Sequence, residues 1–117
     1  MSYEPDAGDL VWIDFDPRVG REQSGRRPAL VLSARDFFQA SRFVIVCPIT
    51  SRVRPFASSV LLPPECPVQG EILTSHVRSI DTLARLLISM EAAVSTTVLA
   101  EVRAKLAVLT GIRGPAA

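Results

Sequence analysis

Gly8-Asp9-Leu10-Val11-Trp12-Ile13-Asp14-Phe15-Asp16 sets Leu10, Trp12 and Asp14 on one side of an extended chain and Val11, Ile13 and Phe15 on the other. A period of two sustained over this length is the pattern of a β-strand. Asp16-Pro17 ends it, and the polar loop Arg18 to Arg27 follows. Pro28-Ala29-Leu30-Val31-Leu32-Ser33 is then an unbroken apolar run, which reads as a well-buried second strand. Ala34 to Ser41 suits a short helical turn. Phe43 to Thr50 is a third strand, in which Pro48, lacking an amide donor, belongs at an edge or bulge. Ser51 to Ala57 is a second polar loop carrying Arg52 and Arg54, and Ser58 to Leu62 a fourth strand. Pro63-Pro64 and Pro67 mark a further loop. Gln69 to Ser79 reads as extended, and Leu86 to Met90 as another strand.

The end of the chain changes period. Val98, Leu99, Val102, Leu106 and Leu109 recur at helical spacing, with Glu101, Arg103 and Lys105 outside the stripe. Ser95 is placed to cap the start and Gly111 to end the helix. Many short strands followed by one helix imply an α+β, mostly β fold, either a sheet with a packed helix or a small barrel. A length of 117 residues without repeats or a low-complexity linker implies one domain over residues 1–117.

A hydrophobic share of 48% excludes a disordered chain. No apolar run reaches the roughly 18 residues of a membrane helix, so no membrane is expected. Met1 to Asp9 holds three acids and no base, unlike a signal or transit peptide, which points to the cytoplasm. Cys47 and Cys66 read as thiols rather than as a disulfide framework.

The net charge of +1 conceals an asymmetry. From Arg18 to Arg54 there are eight arginines (18, 21, 26, 27, 35, 42, 52 and 54) against Glu22 and Asp36, a local charge of +6, so the remainder carries −5. Arginine is permanently charged and forks onto phosphate oxygens. The chain holds twelve arginines and a single lysine, Lys105, so an arginine-rich solvated surface also accounts for part of the excess. The densest segment is Gly20-Arg21-Glu22-Gln23-Ser24-Gly25-Arg26-Arg27-Pro28. It is not a P-loop: arginines stand where lysine and then Ser/Thr are required, and Pro28 opens a strand rather than a helix. A Ser-His-Asp hydrolase would have to use His76, the one histidine, without a G-x-S-x-G elbow. Cys47, Cys66 and His76 lack metal-ligand spacing, so neither a metal nor another cofactor is expected.

The chemistry that remains uses arginine, carboxylate and hydroxyl groups. RNA carries its own nucleophile, the 2′-hydroxyl, which attacks the adjacent phosphorus once its proton is accepted and the equatorial oxygens are neutralised. Arginine does the second, and a nearby hydroxyl or carboxylate does the first. Arg27, Thr50 and Glu22 are the candidates; Arg27 and Thr50 stand at strand ends beside the two arginine-bearing loops.

Gly8 to Pro17, Gly20 to Pro28, Cys47-Pro48-Ile49-Thr50-Ser51, His76-Val77-Arg78-Ser79-Ile80-Asp81 and the helix ending Leu109-Thr110-Gly111 together resemble the MazF/PemK (Kid) toxins of bacterial toxin–antitoxin pairs, in order and spacing, over about residues 8 to 111. The resemblance implies a small SH3-like barrel with a C-terminal helix, acting as a homodimer. It implies a metal-independent endoribonuclease that cuts single-stranded RNA at short sequences, leaving a 2′,3′-cyclic phosphate and a 5′-hydroxyl, and that is neutralised by a cognate acidic antitoxin. It places the catalytic arginine on Arg27, the catalytic threonine on Thr50 and the loop glutamate on Glu22. Arg26, Arg21, Ser51, Arg52, Arg54 and His76 are read as RNA-binding. Phe15 is either a packing residue or a stacking platform, and Arg78 either structural or in the RNA groove. Ser75-His76 departs from the acid-or-amide-then-glutamine usual before the Val-Arg-Ser-Ile-like segment, which implies a different recognition sequence. Two other readings stay open on the same fold: a non-enzymatic inhibitor of DNA gyrase and a catalytically inactive RNA-binding module.

Overall fold

The computed structural model describes residues 3–14, 26–53 and 58–112. Seven strands and two helices follow in the order β1 Asp9–Ile13, β2 Arg27–Val31, α1 Arg35–Ser41, β3 Phe43–Thr50, β4 Ser59–Leu61, β5 Glu71–Leu73, β6 Arg78–Asp81, β7 Leu87–Ala93 and α2 Thr96–Thr110. A 3-10 turn over Thr74–His76 separates β5 from β6. All pairings are antiparallel, and the sheet runs β4-β5-β3-β2-β1-β7, with β6 also on β3. The expected α+β, mostly β architecture with a C-terminal helix is what forms. Closure into a barrel is not seen among the described residues: β4 and β7 stand at opposite ends of the path.

Strand β3 organises the sheet. One edge pairs with β2 along Val46 to Pro48. The other pairs first with β6, over Phe43 to Val46, and then with β5, over Ile49 and Thr50. Leu32 donates its amide to the Ile45 carbonyl at 2.8 Å, so odd-numbered β3 residues turn their backbone groups toward β2 and even-numbered ones away from it. The nitrogen of Pro48 therefore faces the junction where β6 has ended and β5 has not begun. The proline is not at a sheet edge; it occupies the point where β3 exchanges partners and a donor is dispensable.

Alternation along the strands gives two apolar clusters, one on each face. Leu10, Leu30, Leu32, Cys47, Ile49, Val60, Leu62 and Ile72 pack beneath Val102 of α2. Val11, Ile13, Ala29, Val31, Val44, Val46 and Ile80 form the other cluster. Burial on both faces explains why β2 reads as a nearly continuous apolar run rather than a polar-out strand.

Helix α2 begins and ends as its sequence predicts. Ser95 Oγ accepts the Val98 amide at 3.2 Å, and Gly111 adopts φ +77° at the C-cap. Its stripe is buried only in part, for Leu109 is 47% exposed. The charged residues outside the stripe fasten the helix instead: Arg103 donates to the Leu32 carbonyl at 3.2 Å and Lys105 to the Ser59 carbonyl at 2.9 Å. The extended reading of Gln69 to Ser79 is broken by the 3-10 turn, where Thr74 is fully buried and its hydroxyl donates to the Ser58 carbonyl.

Both cysteines are free, Cys47 buried and Cys66 partly exposed. Burial pushes the Cys47 thiol up from 9.0 to about 12. A group whose folded pKa is raised stabilises the fold below its unfolded pKa and loses that contribution as pH rises toward the folded value. Burial and the hydrogen bond to the Asp9 carboxylate also hold the Tyr3 phenol above its ordinary range. Stability is thus expected to fall between pH 9 and 12, and Cys47→Val, which keeps an apolar side chain there, should flatten that decline in urea unfolding series. An unchanged slope would remove Cys47 from the account.

Candidate active site

Pro28 decides the posture of Arg27. A residue before proline is steered to extended backbone, and Arg27 is accordingly the first residue of β2, paired with Ile13 of β1. The β2–β3 register sets Ala29 opposite Pro48 and Val31 opposite Val46; continued by two residues, it sets Arg27 opposite Thr50. Thr50 in turn pairs with Glu71 on β5, and Glu71 with Leu61 on β4. Directly opposed residues in antiparallel pairs share a face. Ile13, Arg27, Thr50, Glu71 and Leu61 thus form one row across five strands, on the face of the Val11–Ile80 cluster. Within it stand a cation, a hydroxyl and a carboxylate side by side.

Thr50 is held from two sides. Its Oγ1 accepts the Arg52 amide at 3.1 Å, a local turn that leads the chain out of β3. Gly70 packs against its backbone at φ +141°, and a Cβ there would lie 2.2 Å from the Thr50 carbonyl oxygen. Only glycine meets both requirements.

The remaining predicted residues separate by position. Arg26, Arg27, Ser51, Arg52, His76 and Arg78 are exposed, and Thr50 is half-buried. Arg78 pairs with Val46, so it shares the face of Thr50 but lies four residues down β3, roughly 13 Å along the strand. His76 ends the 3-10 turn between the strands that carry Glu71 and Arg78. Glu22, Arg21, Phe15 and Arg54 fall outside the described residues, as does Arg18. Two arginines of the +6 stretch serve elsewhere. Arg35 contacts Asp6 at 3.9 Å and donates to the Glu4 carbonyl at 3.1 Å. Arg42 lies 5.0 Å from the centroid of the Phe38 ring.

The sequence reading passed over Glu71. It is 3% exposed, and Ser59 Oγ donates to its Oε2 at 3.0 Å. The available signal was a glutamate within the short apolar strand Glu71-Ile72-Leu73, directly after a glycine.

Chemically, exposed guanidinium groups beside a fixed hydroxyl suit an oxyanion whose charge must be neutralised while one of its neighbours is oriented. Comparison with known proteins gives this arrangement a family. Residues 6–110 match the family described as the PemK-like, MazF-like toxin of type II toxin-antitoxin systems. The chain belongs to that family. It is 39% identical over 83 residues to the endoribonuclease toxin MazF of Escherichia coli strain K12, covering 71% of this chain and 74% of that protein. It is 43% identical over 89 residues to the endoribonuclease toxin ChpB of the same organism, covering 71% and 75%. Among solved structures, a MazE–MazF complex from Deinococcus radiodurans superposes with TM-score 0.84 at 40% identity, covering 96% of this chain and all of that one.

The close approach at Gly70 yields a direct test. Gly70→Ala should lower the urea midpoint and displace Thr50, so RNA-directed activity should fall more steeply than stability at temperatures where the variant remains folded. Wild-type midpoint and wild-type activity together would show that the β3–β5 approach tolerates a side chain.

Proposed function

We propose that this protein is an endoribonuclease toxin that cleaves single-stranded RNA without a metal, through attack of the RNA 2′-hydroxyl, to give 2′,3′-cyclic phosphate and 5′-hydroxyl ends. The observation that carries the reading is the β2–β3 register, which pairs Ala29 with Pro48 and, continued by two residues, would bring Arg27 opposite Thr50. Relatives bearing the name endoribonuclease toxin support it.

In this reading Arg27 neutralises the equatorial phosphate oxygens as charge builds on them. A guanidinium stays protonated at working pH, which suits it to that task and not to removing a proton. Thr50 orients the attacking hydroxyl, and Glu22 of the preceding loop either accepts its proton or holds the loop in place. Arg26, Arg21, Ser51, Arg52, Arg54 and Arg78 bind the RNA backbone, and Phe15 and His76 meet bases. Backbone contacts of this kind make binding fall with salt through counterion release.

The partners follow the same logic. A site with several exposed arginines attracts an acidic, partly disordered antitoxin segment, and a related toxin has been solved with the antitoxin MazE. The protein acts as a homodimer in the cytoplasm. No helix among the described residues is long and apolar enough to cross a membrane.

Purified protein is expected to cut single-stranded RNA in EDTA, leaving 5′-hydroxyl ends on mapped fragments. Arg27→Ala should lower the rate by about 100-fold or more, the cost of losing one charge-stabilising donor, with an unchanged circular dichroism spectrum. Wild-type cutting by that variant sinks the role given to Arg27. Intact RNA together with blocked DNA supercoiling would identify a gyrase inhibitor, and RNA binding without cleavage an inactive binding module.

A further inference from the structure

A leucine side chain gains free energy by leaving water, yet the row that carries Thr50 ends in one that stays in it. Leu61 is 62% exposed. It joins the row through Glu71, which pairs with Leu61 on one side and with Thr50 on the other. Opposed residues of antiparallel strands share a face. Adjacent strands lie about 4.8 Å apart, so Leu61 stands roughly 10 Å from Thr50, two strands away.

Single exposed leucines are ordinary; this one is set apart by its surroundings. Ser59, the other β4 residue on that face, is buried with its hydroxyl on the Glu71 carboxylate at 3.0 Å. Val60 and Leu62, on the opposite face, are buried in the cluster under α2. Leu61 is therefore the side chain through which β4 meets solvent on the face of the row. β4 also ends the sheet path, so among the described residues no strand lies beyond it, and a chain crossing the row leaves over its edge. On the other side of Thr50, the β2–β3 register continued by two residues brings in Arg27, exposed like its neighbour Arg26 and like Arg52. Cations at one end and an exposed apolar group at the other complement the two parts of a nucleotide, its anionic phosphate and the flat face of its base. The span from Thr50 to Leu61 is comparable with the reach from a backbone phosphate to the base of an adjoining nucleotide.

We propose that Leu61 is the floor of a base-binding subsite: a nucleotide adjoining the scissile phosphate lays the face of its base on this side chain while Arg27 holds the phosphate. This rests on the reading of Arg27 and Thr50 as the cleavage site. Every base has such a face, so Leu61 adds affinity and leaves the choice of RNA word to residues that meet base edges. It touches no reacting atom and acts on binding rather than on the chemical step.

The test uses a single-stranded RNA oligonucleotide that spans a mapped cut site. Binding is measured on a version with 2′-deoxyribose at the cleaved nucleotide, which lacks the nucleophile, and kcat on the all-RNA version. Leu61→Ser is expected to weaken Kd by about 5-fold through loss of apolar contact, with kcat within about twofold and, as a surface substitution, a wild-type urea midpoint. Leu61→Trp should tighten binding, because an aromatic ring stacks on a base. Abasic nucleotides placed one at a time on either side of the cut identify the base concerned. At one position the wild-type protein should lose affinity and Leu61→Ser should lose nothing further, since side chain and base make a single contact. Wild-type Kd in Leu61→Ser, or losses that multiply at every abasic position, overturns the subsite and leaves the cleavage reading in place. Unchanged Kd with altered sedimentation assigns Leu61 to a protein contact and overturns it too. Wild-type cutting by Arg27→Ala removes the cleavage reading and this inference with it.

Discussion

The register of β3 is the constraint on which the rest depends. Eight residues from Phe43 to Thr50 pair with three other strands, and the side-chain period of two means that a slip by one residue would send Thr50 to the opposite face. Such a slip is blocked because both faces are buried. Cys47 and Ile49 belong to the cluster under α2, and Val44 and Val46 to the other. Exchanging these sets would put each into a packed environment shaped for its neighbour. The apolar core thus does more than hold the sheet together: it sets which three polar side chains stand in line at its open end. Pro48 belongs to the same constraint, since it permits the change of partner from β6 to β5 without leaving a donor unpaired.

Much of this was legible in the chain because the signals are local. Alternation marks β1, a continuous apolar run marks β2, and the boundaries of β3 fall where the sequence put them. Ser95 and Gly111 announce the ends of α2 by capping chemistry that needs no knowledge of the fold. The failures concern contacts between distant residues. The turn at Thr74–His76 contains neither glycine nor proline; a buried threonine hydroxyl bonding to a carbonyl sixteen residues earlier accompanies it. Lys105 and Arg103 lie outside the apolar stripe and so read as solvated, yet both reach backbone carbonyls of the sheet. Leu109 fits the stripe and yet remains 47% exposed.

Two arginines of the +6 stretch are engaged elsewhere for a related reason. The +6 stretch treats sequence neighbours as spatial neighbours. Arg35, at the start of α1, is engaged with Asp6 and Glu4, and Arg42, in the left-handed C-cap of the same helix, covers the Phe38 ring. Among the described residues, Arg26, Arg27 and Arg52 are exposed guanidinium groups at or next in sequence to the row. Conversely Glu71, remote in sequence from all of them, enters the row through strand pairing. Screening by water weakens surface pairs such as Arg35–Asp6, whereas a carboxylate that is 3% exposed acts on its neighbours through a much less polarisable medium. The small number of charges in the row therefore matters more to its chemistry than the larger number around it.

The layout also separates the chemistry from the reading of sequence. The proposed catalytic row is built by paired backbone on β2, β3 and β5, and its geometry is inherited from the core. The departure at Ser75-His76 lies in the 3-10 turn that follows β5, where both side chains are exposed and Thr74 alone points into the protein. Replacing an exposed side chain on that turn leaves the buried threonine and the strand pairings untouched. A glutamine amide offers a donor and an acceptor to a base edge, while an imidazole offers a different donor pattern and a stacking surface. In the proposed reading, where His76 meets a base, variation at positions 75 and 76 alters the accepted RNA word and leaves untouched the strand pairings that the proposed cleavage requires.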